Sequence, residues 1–75
     1  MERLVEEIRR QRIALGYTQQ AAADRAGFKQ SSWSDVENNR KSPGFARLDK
    51  MARAVGLRVE WRLVPVGNPG ENEDA

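Results

Sequence analysis

The 75 residues carry 13 Lys and Arg against 11 Asp and Glu, and three of those acids (Glu71, Glu73, Asp74) crowd the tail GNPGENEDA, which leaves residues 1–66 at +5 and suits a polyanionic partner. With neither Cys nor His, disulfides and a Cys/His zinc site are excluded, so a core that supplies only about 3 to 5 kcal/mol must rely on helix packing or self-association. No apolar run approaches the roughly 18 to 20 residues of a membrane span, and the opening MERLVEEIRRQR is too charged for a secretory signal, so a cytoplasmic protein with no membrane partner is expected.

In the first segment Leu4, Ile8 and Leu15 step by four and seven, the stripe of an amphipathic helix that ends at Gly16. Arg12 lies on the same stripe and needs an opposite charge, because an unpaired buried ion costs several kcal/mol. Thr18 is a good N-cap for a second helix, QQAAADRA, closed by Gly27 in a left-handed C-cap. Its inner side is only Ala, which allows another helix to approach closely.

A third helix, about QSSWSDVEN, turns Trp33, Val36 and Glu37 to one side. Ser31, Ser34, Asp35 and Asn38 form a wholly polar stripe on the other. The inward lean of Glu37, one turn after Trp33, predicts a largely buried ion pair between Arg12 and Glu37.

NNRKSPG reads as a loop, with Pro43 and Gly44 leading into a fourth helix whose stripe is Phe45, Leu48, Ala52 and Val55, with Met51 beside it; Gly56 ends it. From Leu57 the period changes to two. Leu57, Val59, Trp61 and Leu63 alternate with Arg58, Glu60 and Arg62, a strand pattern. A lone strand in a helical chain has no internal partner, so these four apolar residues are assigned to a dimer interface in which two copies pair antiparallel about a twofold axis. Centring the ribbon on Glu60 would oppose Arg58 to Arg62, so the expected centre is Val59 or Trp61; the alternative is an arm folded back over its own helices. The divisions expected are a DNA-binding domain over 1–56, a dimerisation strand over 57–66 and a disordered acidic tail over 67–75.

Two short helices around a tight Gly turn, the second presenting polar side chains, suit the major groove, which admits one helix whose side chains must hydrogen-bond to base edges. TQQAAADRAGFKQSSWSDVENNRKSP resembles the Xre family of lambda-repressor and Cro-like DNA-binding domains. The resemblance rests on Thr18, Gln19, Ala23, Gly27, Gln30, Ser31, Glu37, Asn38, Arg40 and Pro43 in register and covers about residues 4 to 56. It implies a mainly α fold, a helix-turn-helix bundle of four to five helices, to which the C-terminal β-strand adds pairing across a dimer. It also implies that Gln19 binds a phosphate and braces the next Gln, and that Gln30, Ser31 and Asp35 read base edges with Ser34 close by. Asn38, Arg40 and Lys41 then meet the DNA backbone, and an Arg of the first helix pairs with the acid at Glu37.

Four departures stand out. Asn39 replaces a Gly, and Lys29 stands where Ser or Thr caps the third helix and is free to point at phosphate. Ala22 and Trp33 exchange a large and a small residue, as if compensating in volume. Asp35 suits DNA only as an acceptor from a cytosine amino group.

The implied function is a sequence-specific, homodimeric regulator of transcription, a repressor on a palindromic operator in double-stranded DNA. The C-terminal segment makes it similar to HipB-like antitoxins, which repress their own operon and bind a cognate toxin protein. The alternatives are a Cro-like phage regulator, or a protein-interaction module that keeps the fold without binding DNA. Without His or Cys, and with carboxylates scattered over helix surfaces, neither an enzyme, a small-molecule substrate nor a cofactor is expected.

Overall fold

The computed structural model describes residues 2–67. Four helices follow in chain order: α1 (Glu2–Ala14), α2 (Gln19–Ala26), α3 (Gln30–Glu37) and α4 (Phe45–Ala54). Each boundary has a local cause. The Thr18 hydroxyl accepts from the Ala21 N–H at 3.0 Å and starts α2, while Gly27, at φ 79°, closes it by donating its N–H back to the carbonyls of the last turn. Lys29 gives α3 no side-chain cap, as its identity predicts, so the N-terminal N–H groups of that helix face outward uncovered by a local oxygen. Asn39 takes φ 58° in the turn after α3, the work expected of the residue standing in for Gly.

The core is built from one stripe of each helix: Val5 and Ile8 from α1, Ala22 and Ala23 from α2, Trp33 and Val36 from α3, and Leu48, Met51, Ala52 and Val55 from α4 and its end. Ala22 and Trp33 are both fully buried in this cluster, which is consistent with the large and small residues having traded places between facing helices.

Three expectations are corrected. Leu15 is 45% exposed and Val5 is buried instead, because α1 ends at Ala14 and the chain turns at Gly16 (φ 78°), which carries Leu15 off the stripe. Phe45, the first residue of α4, is 63% exposed; it overhangs the core and meets Trp61, ring centroids 4.5 Å apart. The segment from Leu57 carries no strand among the described residues. After the Leu57 N–H bonds the Ala52 carbonyl, no further backbone hydrogen bond ties this segment to the rest of the described chain.

The alternation of the segment is real nonetheless. Leu57 and Val59 are partly buried against the chain's own core, so the two residues expected to face a partner are already half covered by their own body. Arg58 and Arg62 reach the same Glu60, at 3.3 and 3.7 Å, on the outer side. Beyond Trp61 the segment leaves the body, and Leu63 is fully exposed. The tail expected over 67–75 lies, from residue 68, outside the described residues. No described helix is long and apolar enough to cross a membrane.

Candidate nucleic-acid interface

The predicted ion pair between Arg12 and Glu37 is present and sits at the base of the site. Arg12 donates through Nε to Glu37 Oε2 at 2.6 Å and through Nη2 to Oε1 at 3.0 Å, with side chains 12% and 2% exposed. Its remaining Nη1 donates to the Tyr17 carbonyl at 2.8 Å, which ties the α1–α2 turn to the same group. Fork-to-fork geometry of this kind is the strong form of a charged hydrogen bond. No buried side-chain nitrogen or oxygen among the described residues is left without a partner.

Two further donors meet the same carboxylate, and the sequence reading names neither. The Trp33 indole N–H donates to Oε2 at 2.5 Å and Gln19 Nε2 to Oε1 at 3.0 Å. The Trp33 bond had a legible signal, since the two residues stand four apart on one helix. Burial pushes the Glu37 carboxyl up, but hydrogen bonds from Arg12, Trp33 and Gln19 and the charge of Arg12 outweigh it and hold the group below the usual carboxylate range.

Above this base lie the residues expected to face DNA. Gln30 Nε2 donates to Gln19 Oε1 at 3.1 Å, the brace the family resemblance implies, which fixes two exposed amides from different helices against each other. Ser31 is exposed on the same outer face as Gln30. Ser34 and Asn38 do not both stand free: Asn38 Nδ2 donates to Ser34 Oγ at 3.0 Å, one turn apart. Lys29 is exposed just before the helix starts.

Asp35 is placed differently from a lone base-reading acid. Its two oxygens lie 3.6 Å from Arg40 and 3.8 Å from Lys41, and its backbone carbonyl accepts the N–H groups of both. The carboxylate is therefore partly neutralised by the loop cations it positions. Those cations are about two-thirds exposed, and at such exposure the pairs hold weakly enough for the guanidinium and ammonium to turn elsewhere. Leu57, Val59, Trp61 and Leu63 stand apart from this face, in the C-terminal segment described above.

A polar helix held by its apolar side to a short preceding helix, with braced amides at its start and cations in the loop at its end, is a DNA-binding helix-turn-helix unit. The family model described as a helix-turn-helix domain matches residues 3–62, and the chain belongs to that family. No curated protein matches the chain, and no solved structure does either.

Proposed function

We propose that this chain is a cytoplasmic, sequence-specific regulator of transcription that binds a palindromic operator as a homodimer and represses, and that it is not an enzyme. The observation that carries the reading is the Gln19–Gln30 pair. Two exposed amides are held rigid at the start of a helix whose outer side is polar, an arrangement of no use to a core and of direct use in a major groove. Arg40 and Lys41 supply phosphate contacts at the other end of the same helix. Dimerisation through residues 57–66 is supported by backbone groups with no partner in the described chain and by the exposed apolar residues Trp61, Leu63, Val64 and Val66. In such a ribbon Leu57 and Val59 keep their packing on the body while the strand edges pair. The narrower role we infer is that of an antitoxin repressing its own operon, with a toxin protein as second partner; the same apolar segment supports it.

Selection of binding sites from random duplex DNA tests the reading. The wild-type chain should return a palindrome, and Gln30→Ala should cost about 1 to 3 kcal/mol and relax the preference at one A·T pair per half-site. An identical motif from the variant would remove Gln30 from the reading face.

A further inference from the structure

The hydrogen bonds beneath Gln30 run in one direction. Glu37, only 8% exposed, is acceptor-only when ionised, and Gln19 turns Nε2 towards it at 3.0 Å. The other end of that amide, Oε1, therefore points outward and takes the Gln30 Nε2 at 3.1 Å. Gln30 is left with its oxygen and one N–H. That acceptor and donor match the N6 amino group and N7 of adenine. Turned over, Gln30 would give its oxygen to Gln19 and offer two N–H groups, which match O6 and N7 of guanine.

We propose that Glu37 is a specificity-determining positioning residue: without touching DNA it sets, through Gln19, the polarity of the Gln30 amide and so the choice of adenine over guanine at the base pair Gln30 reads. The inference rests on Gln30 reading a base edge, as proposed above. It separates two roles of one carboxylate, since the bond to Arg12 holds the fold while the bond to Gln19 orients a reader.

The test is site selection from random duplex DNA with the full chain as wild type, Gln19→Ala and Glu37→Gln, each followed by circular dichroism through a thermal melt. The wild type should select adenine at one position of each half-site. Gln19→Ala leaves both bonds from Arg12 to Glu37, so its melt should be unchanged while its adenine-over-guanine preference falls about tenfold. If Gln19 also grips a phosphate, its removal weakens all sites alike and leaves the ratio untouched. In Glu37→Gln, the new amide keeps its oxygen towards Arg12 Nε and Trp33 and turns its NH2 to Gln19; both outer amides then reverse and the preference moves to guanine. If that variant does not fold, Gln19→Ala decides alone. A Gln19→Ala chain that keeps the wild-type adenine preference overturns the proposal, as does a folded Glu37→Gln chain that keeps it. A wild type that selects no motif overturns the DNA-binding reading and this inference together, whereas a motif insensitive to Gln19 but lost with Gln30→Ala overturns only the inference.

Discussion

Glu37 collects four side-chain hydrogen bonds from three residues at the junction of α1, α2 and α3. Removing one member of such a group is costly because the others stay buried with an unmatched charge. Arg12→Ala should therefore destabilise the fold by about 3 to 5 kcal/mol, read as a lower denaturation midpoint in urea; an unchanged midpoint would mean that the pair contributes nothing. The same carboxylate predicts the acid limit of the protein. Its folded pKa lies below the unfolded one, so the unfolded chain takes up the proton first as the pH falls. The stabilisation is fully present above the unfolded value of about 4.3 and is lost as the pH drops from there through the folded value. Melts recorded from pH 7 downward should stay level to about pH 5 and then decline, and the decline should shrink in a Glu37→Gln background. The pairing of Arg12 with Glu37 was legible because a charge on an apolar stripe demands a partner. The bond from Gln19 to Glu37 was not, since nothing in the spacing of residues 19 and 37 says that the start of α2 meets the end of α3.

The four helices were readable one by one, and for different reasons. Thr18 and Gly27 bracket α2 with capping chemistry that acts within a few residues, so sequence suffices. Leu15 and Phe45 misled because periodicity says which side of a helix is apolar, not where the helix stops relative to the core; each lies at an end, one beside a glycine turn and one at a first residue. For residues 57–63 the alternation was legible and its use was not. A period of two predicts an extended chain with one apolar face, and packing that face on the parent core meets the demand as well as pairing does. The loop after α3 makes its own prediction. If Arg40 turns from Asp35 to a phosphate, Arg40→Ala should weaken binding to all sequences about equally and lower the slope of log affinity against log salt by about 1. Loss confined to one base pair, with the slope unchanged, would place Arg40 among the readers.

At the scale of the whole molecule, the body and the C-terminal segment divide the work. The body is folded without help from another chain, its core closed and its polar groups satisfied among the described residues. The segment beyond Val59 is not so provided for, and two copies pairing about a twofold axis would set the α3 helices of the dimer about 34 to 36 Å apart, one turn of duplex. Single Cys substitutions at 59, 60 and 61 under mild oxidation test the register, because a residue on the axis opposes its own copy. Crosslinking should be strongest at 59 or 61; strongest crosslinking at 60 refutes that register, and sedimentation as a monomer at micromolar concentration refutes the ribbon. The exposure of Leu63, Val64 and Val66 then bears on how the regulator responds to its own abundance. A single body grips half of a palindrome and lets go easily, whereas a joined pair holds both halves, the second at a high effective concentration set by the first. While single chains predominate, the joined form grows as the square of the chain concentration, and so does operator occupancy. A gene controlled in this way would stay open through small fluctuations in the regulator and shut over a narrow range once the chains begin to meet.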